Sequence, residues 1–444
     1  MTLALVAAGA SVIGWLAFGP AEGERGGGVR DAAEADGALT LSLVEAMGGG
    51  DDAERYARAF EPRPFVFPAD HAAHPDFRTE WWYVTSNLAT ADGRRFGVHF
   101  TIFRNALRPP PESAPDESPG PEEGVGAEED SGPEEDPGAE WRARDLYMGH
   151  FALADATAGR FTEVERFTRG AAGLAGARVE DGRAFRVWID EWAIESVNPP
   201  EPGAAGIFPL RLVAGDPGAG IAIDLVARPM KPVVLQGKDG LSQKGDEPGN
   251  ASYYYSFTRL RTEGRLVSGS DTFSVSGESW IDREWSTSAL DATQAGWDWF
   301  ALHLDDGRDL MVYRLRGIDG SSDPLSEGIL VDPDGSSRRL GVDDFTLEVL
   351  ERWTSPVDGA VYPSTWRVEV PSADLALRVV PLLRDQEMNV TVRYWEGAVE
   401  LFDAAPAGRD GRDGARSEGA SRAPRVGRGY VELTGYAGRA PPGR

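Results

Sequence analysis

The chain has 444 residues, 41% of them hydrophobic, and a formal net charge of −27 at pH 7, so it is long enough for two or three domains with ordinary cores. The acidic balance argues against nucleic acid or an anionic membrane as a partner held by the net electrostatic field. The sequence contains no cysteine, which excludes disulfides, thiolate metal sites and cysteine nucleophiles.

The first 19 residues carry no charge and are mostly apolar. This stretch is short for a membrane span and is typical of a signal-peptide core. Residues 20–59 predict a tether, and only residues 30–60 have a helical pattern. We therefore predict an exported protein, secreted or periplasmic, in which residues 1–19 are a signal peptide or an N-terminal membrane anchor.

Residues 109–140 form an acidic insert with eight prolines, twelve acidic residues and no basic residue. Such a segment cannot bury enough apolar area to offset its ordering entropy, so we predict a disordered loop. The Gly/Arg-rich run from about residue 404 to residue 429 has the same character.

The rest of the chain has a β pattern of short aromatic or β-branched segments separated by Gly, Asp and Asn. The clearest segments are "RFGVHFTIFR", "AFRVWIDEWAI", "GIAIDLVARP", "YYYSFTRLRT", "LMVYRLRG" and "STWRVEVP". "ATADGRRF" and "LDDGRDL" predict hairpins, because Asp-Gly supplies the positive φ that tight hairpin turns require. Many antiparallel strands with few helices indicate barrels or sandwiches.

An internal repeat sets the expected domain count. "WWYVTSNLATADGRRFGVHFTIFR" aligns with "WDWFALHLDDGRDLMVYRLR", so that Trp81 matches Trp297 and Leu88 matches Leu304. Both copies predict a strand that opens on Trp, an Asp-Gly turn and a strand that ends in Arg. We interpret the repeat as two tandem barrels, residues 60–290 and residues 291–444.

Six motifs in order resemble the carotenoid 1,2-hydratase family and its secreted AttH-like relatives: "FPADHAAHPDFRTEWWYVTSNL", "MGHFALAD", "GESWIDREWS", "GWDWFALHLDDGRDLMVYRLR", "RYWEGAVEL" and "GRGYVELTGY". The resemblance runs from about residue 65 to residue 436. It implies an all-β protein with two lipocalin-like antiparallel barrels that face each other, and a ligand cavity at or near their junction. The family contains more than one activity, so the fold does not decide the reaction.

Hydration of a C=C bond needs a carboxylic acid that is still protonated near pH 7, and burial in an apolar pocket provides one. The candidate catalytic residues are Asp282 and Glu284, which strand alternation places on one face, and Tyr313. The resemblance implies that an acid should follow two positions after Tyr313, but Leu315 occupies that position. Arg283 also stands where many relatives carry histidine.

Two further carboxylates beside tryptophans are expected to form structural ion pairs. Glu80 is predicted to pair with an arginine such as Arg104, and Asp298 with Arg314 or Arg316.

The expected ligand-binding side chains are aromatic residues and histidines of the same motifs: Trp81, Trp82, His71, His74, Trp285, Trp297 and Trp299. His71 and His74, with Asp70 or Glu80, could also form a two-histidine, one-carboxylate metal site. We favour histidines that are hydrogen-bonded within the barrel or line the cavity mouth, and we predict neither a metal nor a cofactor. No phosphate-binding loop or serine-hydrolase elbow is present in the sequence.

Two functions from different classes follow. One is a hydratase-type enzyme that acts on an isoprenoid or other largely apolar substrate. The other is an exported, monomeric carrier of a lipid-like ligand, with ABC-transporter components as partners and no chemistry of its own. A buried acid that faces the cavity would favour the enzyme, since a carrier needs only an apolar lining.

Overall fold

The computed structural model describes residues 53–110, 144–180, 184–197, 200, 206–287, 290–291, 293–404 and 423–437. The predicted signal peptide or anchor, the tether as far as residue 52 and most of the acidic insert lie outside these ranges. Within the ranges, no helix is both long and apolar enough to cross a membrane.

The first sheet is antiparallel and has thirteen strands. These are β1 (Thr79–Ala89), β2 (Arg95–Ala106), β3 (Asp145–Asp155), β4 (Arg160–Arg169), β5 (Ala175–Glu180), β6 (Ala184–Ile189), β7 (Trp192–Ser196), β8 (Leu210–Asp216), β9 (Ile221–Pro229), β10 (Val234–Leu235), β11 (Leu241–Gln243), β12 (Ala251–Ser268) and β13 (Asp271–Ser286). Their order is β4-β3-β2-β1-β13-β12-β9-β8-β7-β6-β5, with β10 and β11 beside β12. The sheet curls until β4 contacts β6, which gives a nearly closed barrel.

The second sheet is antiparallel and has ten strands. These are β14 (Gln294–Leu304), β15 (Asp309–Gly317), β16 (Glu327–Val331), β17 (Ser337–Leu340), β18 (Thr346–Thr354), β19 (Val361–Val370), β20 (Leu375–Pro381), β21 (Glu387–Met388), β22 (Tyr394–Asp403) and β23 (Arg425–Leu433). Their order is β17-β16-β15-β14-β23-β22-β20-β19-β18, with β21 beside β22, so that the sheet forms a half-barrel.

Both sheets belong to one compact unit, and they use successive stretches of chain, residues 79–286 and 294–433. The prediction of an all-β chain with two lipocalin-like sheets is therefore confirmed. The assignment of each sheet to its own domain, divided at residue 290, stays a prediction.

The helical pattern predicted for residues 30–60 is not found in its described part. Residues 53–60 contain only a 3-10 helix at Ala53–Arg55, and further short 3-10 helices with both ends described lie at Ala69–His71 and Pro371–Ala373. The segment is held by tertiary contacts instead, since Tyr56 and Ala59 are buried and the Tyr56 hydroxyl donates to the carbonyl of Ala106 at 3.2 Å. Packing against the first sheet overrides a weak local helical preference.

The two predicted hairpins are present at equivalent places in the two sheets. β1 pairs with both β2 and β13, and β14 pairs with both β15 and β23, so each hairpin supplies the first strand and its sequence neighbour. Gly93 and Gly307 in the two Asp-Gly turns both have φ of 91°, a conformation that strains any residue with a Cβ atom. The sequence repeat is therefore also a structural repeat.

The ion pairs predicted beside the repeated tryptophans are confirmed. The guanidinium of Arg104 donates to Glu80 Oε1 at 2.9 Å, across the β1–β2 ladder. Both Arg314 and Arg316 bind Asp298, with 3.0 Å between Arg316 Nε and Asp298 Oδ1. Each pair links the first strand of a sheet to the second.

Strand alternation produces three apolar layers. Alternate residues such as Trp82 of β1 and Phe300 of β14 point into the interior of their own sheets. The residues that follow or precede them, including Tyr83 and Trp299, point outward and meet in a third layer between the sheets. Residues 96–104 of β2 are buried on both faces for this reason. The run is mostly apolar, as expected of a strand that faces two cores, and it is interrupted by His99, Thr101 and Arg104.

Candidate functional site

A cavity lies between the outward faces of the two sheets, where the third apolar layer is incomplete. Its volume is about 110 Å³, which is room for several water molecules or part of an organic ligand. It is lined by Trp81, Tyr83, His99, Phe103, Lys244, Ser252, Tyr254, Asp282, Glu284, Ser286, Leu290, Trp297, Trp299, Tyr313, Leu315, Tyr394 and Glu432. The expected cavity at the junction of the two sheets is therefore present.

Asp282 is buried on β13 and faces this cavity. Its Oδ1 accepts hydrogen bonds from the Ser256 hydroxyl and, at 2.6 Å, from the indole N–H of Trp280, and its Oδ2 accepts from the Tyr254 hydroxyl at 2.7 Å. Burial raises the pKa of Asp282 to about 7, although these three hydrogen bonds act to lower it. The carboxyl is thus poised between its protonated and ionised forms near neutral pH.

Glu284 lies on the same face of β13, as the alternation predicts, but its surroundings are different. It accepts a hydrogen bond from the Ser252 hydroxyl, and its Oε1 lies 3.3 Å from Lys244 Nζ. Lys244 also lies 4.5 Å from the centre of the Tyr313 ring. Glu284 therefore has a cationic partner in the cavity wall, and its negative charge acts to raise the pKa of Asp282.

A second acid site comes from β22 and β23, where Glu396 and Glu432 are paired across the ladder. The pKa of Glu432 is raised to about 7: burial and the negative charges of Asp282 and Glu284 raise it, while a 2.7 Å hydrogen bond from the Trp297 indole lowers it. Burial and the charge of Glu432 raise the pKa of Glu396 well above its usual value. The two side chains hydrogen-bond to each other, which requires a proton on one of them.

Sequence reasoning missed this second pair. A signal was present, because "RYWEGAVEL" places Glu396, and "GRGYVELTGY" places Glu432, among apolar strand residues, and an acid on an otherwise buried strand needs a reason. The two glutamates are far apart along the chain, and only the β22–β23 ladder brings them together.

Tyr313 also lines the cavity, but its hydroxyl is already engaged. It donates to Glu327 at 2.9 Å and lies 3.0 Å from the Ser242 hydroxyl. Burial raises the pKa of Tyr313 well above its usual value, so the side chain stays a neutral donor at the cavity wall. Leu315 lies on the same face and presents only an apolar side chain at the position where the resemblance implies an acid.

Three of the predicted ligand-binding tryptophans, Trp81, Trp297 and Trp299, form the aromatic wall of the cavity. The rings of Tyr83 and Trp299 meet edge to face with centroids 5.2 Å apart. The indole N–H of Trp299 donates to the Tyr254 hydroxyl at 3.2 Å, so this wall is tied directly to the partner of Asp282. Aromatic faces of this kind attract a positive charge.

The other predicted ligand-binding residues, His71, His74, Trp82 and Trp285, lie on the inward side of the first sheet and do not line the cavity. Nδ1 of His71 lies 2.5 Å from the Tyr255 hydroxyl, and the His74 ring stacks on Trp285 with centroids 3.8 Å apart. These residues pack inside the first barrel and stabilise it. The described residues contain no group of three or more His, Asp or Glu side chains arranged to hold a metal ion.

Arg283 points to the same inward side, away from Asp282. Its guanidinium lies 4.0 Å from the Trp82 ring and forms an ion pair with Glu80, which also binds Arg104. Alternation along β13 therefore separates a structural cation on one face from the cavity acids on the other. Arginine cannot hold Asp282 in its ionised form here.

The arrangement combines aromatic walls with two carboxyl groups whose pKa values lie near 7. Neither Asp282 nor Glu432 has a cationic partner among the described residues, so each stays uncompensated when ionised. Such a site can donate a proton, accept a proton and stabilise a transient cation. Lys244, the lysine among the lining residues, forms its ion pair with Glu284.

Comparison with known proteins supports the fold and identifies the family. A sequence profile described as AttH-like matches residues 58–436. A candidate AttH protein from Nitrosomonas europaea has a solved structure with 30% identity and a TM-score of 0.65, covering 86% of this chain and 99% of that one. Kievitone hydratase from Nectria haematococca shares 13% identity with a TM-score of 0.56, covering 86% and 97%, which shows the fold alone. A search of curated proteins returned no match. The chain belongs to the AttH-like family.

Proposed function

We propose that the protein is a hydratase-type enzyme that adds water to a C=C bond of a largely apolar substrate, such as an isoprenoid, by acid catalysis in the cavity between the sheets. The observation that carries this proposal is Asp282, a buried carboxyl with no cationic partner that faces an aromatic cavity and has a pKa raised to about 7. A passive carrier has no need for a neutral acid in that position.

The first step is proton transfer from Asp282 to one carbon of the double bond. The O–H bond of the acid breaks, a C–H bond forms, and the neighbouring carbon becomes a carbocation. The hydrogen bonds from Ser256, Tyr254 and Trp280 are aimed at the carboxylate that this step creates. Donors arranged in advance around developing charge are an effective form of catalysis.

The carbocation is stabilised by the cavity wall. Trp297 and Trp299 present aromatic rings, and the carboxylates add negative charge at short range. Partial exclusion of bulk water strengthens both effects, because the local dielectric constant is lower than in solvent.

Water then attacks the carbocation, and its proton passes to Glu432. The new C–O bond gives an alcohol, Glu432 becomes protonated, and Asp282 is left as a carboxylate. Glu432 suits this role because its partner Glu396 can share the added proton. The two cavity carboxyls influence each other, so they should titrate as a coupled pair with one proton between them near pH 7.

The name of the Nectria protein places a hydratase on this fold, which supports the class of reaction without deciding it for this chain. Export of the protein is a further part of the proposal, supported by the uncharged, apolar residues 1–19.

The direct test is incubation with a panel of isoprenoid alkenes in H₂¹⁸O, followed by mass spectrometry of the products. We expect an alcohol that carries ¹⁸O, with a bell-shaped dependence of kcat/KM on pH centred near 7, because turnover needs one protonated and one ionised carboxyl. An alkene that binds and is recovered unchanged across the panel would favour the carrier.

A binding experiment separates the two functions without turnover. Octyltrimethylammonium should bind about tenfold more tightly than octanol at about pH 8, since aromatic rings and ionised carboxyls both attract a cation. The preference should shrink as the pH falls through 7 and both carboxyls take up protons. Quenching of tryptophan fluorescence would measure both affinities.

Glu432→Gln is the variant to compare in this experiment, because it removes one negative charge and keeps the shape of the cavity wall. It should lower the affinity for the ammonium and leave that for octanol nearly unchanged. Equal affinities of the native protein for the two probes at pH 8 would contradict a cavity built for a cation and would favour a carrier.

A further inference from the structure

A row of polar side chains runs from the cavity to the surface through the contact between the two sheets. Nε2 of His99 lies 3.1 Å from the Tyr394 hydroxyl, and the same hydroxyl lies 2.8 Å from Nδ1 of His150. Nε2 of His150 lies 3.0 Å from Oε1 of Glu165. The histidines and Tyr394 are buried, whereas the Glu165 side chain is 15% exposed.

The inner end of this row faces the second acid pair. Nδ1 of His99 has no hydrogen-bond partner among the described residues, and it lies 3.7 Å from Oε1 of Glu396. This distance exceeds a direct hydrogen bond, and Oε1 of Glu396 also accepts from the Tyr83 hydroxyl at 2.7 Å, so transfer requires a side-chain movement that brings Nδ1 and Oε1 together. Glu396 in turn hydrogen-bonds Glu432, which lines the cavity.

The outer end is anchored by a carboxylate. Burial acts to raise the pKa of Glu165, but hydrogen bonds from His150 and from Thr391 outweigh it and hold the pKa below its usual value. The Thr391 hydroxyl donates to Oε2 of Glu165 at 2.7 Å, which leaves Oε1 to accept from His150.

One order of hydrogens satisfies every member when both histidines are neutral. An ionised Glu165 accepts from Nε2–H of His150, whose bare Nδ1 then accepts the Tyr394 proton. The Tyr394 oxygen accepts from Nε2–H of His99, and Nδ1 of His99 is left bare toward Glu396. Burial lowers the pKa of His99 well below its usual value and keeps that ring neutral. The partners of each nitrogen assign these tautomers.

We propose that the acid pair Glu396 and Glu432 exchanges protons with solvent through a relay of four side chains: His99, Tyr394, His150 and Glu165. Hydration leaves Glu432 with an added proton, and the relay equilibrates that carboxyl with solvent before the next turnover. The use of the relay in turnover rests on the proposed function, whereas its hydrogen order and its proton-transfer rate do not.

Outward transfer balances at every atom. Glu396 gives its proton to Nδ1 of His99 and takes the added proton from Glu432. The Nε2 proton of His99 binds the Tyr394 oxygen, and the hydroxyl proton of Tyr394 binds Nδ1 of His150. The Nε2 proton of His150 then binds Glu165, which releases it to solvent. Each bond to hydrogen that breaks is replaced by one that forms, and inward transfer by the reverse steps restores the original tautomers.

The first measurement is ¹⁵N NMR of the two histidines in the full chain. Near neutral pH we expect a bare Nδ1 and a protonated Nε2 in both His99 and His150. Tyr394→Phe removes the shared hydroxyl, so the single tautomer of His99 should give way to a mixture. A protonated Nδ1 on His99 in the native protein would overturn the relay, because it would block transfer from Glu396.

The second measurement follows the infrared band of protonated carboxyls after a rapid pH jump, with the cavity pair assigned through Glu432→Gln. Tyr394→Phe should slow the change of this band after the pH jump at least about tenfold. The pH midpoint of the band at equilibrium should stay the same. Tyr362→Phe is the matched control, since Tyr362 is also buried and donates to a carboxylate, Glu387, outside the relay.

Glu165→Gln provides a surface variant if Tyr394→Phe does not fold, because glutamine still accepts the hydrogen bond of His150 but cannot take up its proton. Glu165→Gln should slow the change of the carboxyl band after the pH jump to a similar extent. A native rate in either variant would overturn the relay, since protons would then reach Glu432 through the cavity mouth. That result would leave the acid chemistry of Asp282 untouched.

Discussion

Asp282→Asn is expected to reduce kcat by about 10³-fold, because the amide cannot deliver the proton that starts the reaction. The fold should survive, since asparagine keeps the shape of the side chain and its oxygen still accepts hydrogen bonds from Ser256 and Trp280. Octanol affinity and melting temperature should therefore stay close to native values. Initial rates of ¹⁸O incorporation, with fluorescence binding and thermal unfolding on the same samples, measure the three quantities.

Glu284→Gln is the control for this variant because it neutralises a carboxyl on the same strand, the same face and the same cavity. Glu284 is already paired with Lys244, so its loss should change kcat by less than about tenfold. Equal reductions of kcat in the two variants would mean that catalysis depends on negative charge in the cavity and that Asp282 is not the proton donor. Full activity of Asp282→Asn would remove the acid role altogether.

Glu80→Gln is expected to lower the free energy of unfolding by about 3–5 kcal/mol, the usual cost of breaking a buried ion pair from one side. Glu80 is fully buried between Arg104 and Arg283, and glutamine would leave Arg283 without its anion and Arg104 with Asp145 alone. Urea unfolding at pH 7 measures the loss. Asp224→Asn is the control, since Asp224 and Arg211 are about half exposed and their pair should contribute less than about 1 kcal/mol.

The same variant has a defined pH signature. Burial acts to raise the pKa of Glu80, but Arg283, a hydrogen bond from His74 and Arg104 outweigh it and hold the pKa well below its usual value. The contribution of Glu80 to the free energy of unfolding is therefore present above about pH 4.5 and is lost as the pH falls. The reason is that Glu80 binds a proton in the unfolded chain at a pH where it stays ionised in the folded chain. The difference in the free energy of unfolding between the native protein and Glu80→Gln should become smaller as the pH falls. A gap that stays constant with pH would contradict the ion-pair explanation.

The pattern of residues along the chain was sufficient to predict the fold class and several contacts. The apolar alternation and the Asp-Gly turns identified strands and hairpins, since both features depend on the geometry of adjacent residues. The repeat around Trp81 and Trp297 indicated two related sheets. An arginine such as Arg104 was expected as the partner of Glu80, and the β1–β2 register places Arg104 opposite it, because the turn of a tight hairpin decides the register of the residues that flank it.

The same pattern was insufficient for the cavity lining. Alternation placed Asp282 and Glu284 on one face of β13, but it could not tell which face meets the second sheet. His71, His74, Trp82 and Trp285 were grouped with the cavity because they are close in sequence to residues that do line it. In a strand, neighbours along the chain face opposite ways, so Trp81 lines the cavity and Trp82 packs inside the barrel.

The sequence by itself determined an all-β protein with a repeated Trp-strand hairpin, its local ion pairs and Asp282 as an acid worth testing. Only the tertiary structure decided that Asp282 is raised to a pKa of about 7 and shares its cavity with Glu432. It also brought Tyr394 of the second sheet between His99 and His150 of the first. The physical reason is that burial and charge proximity depend on surfaces contributed by strands hundreds of residues apart, and no local spacing encodes how two sheets will face each other.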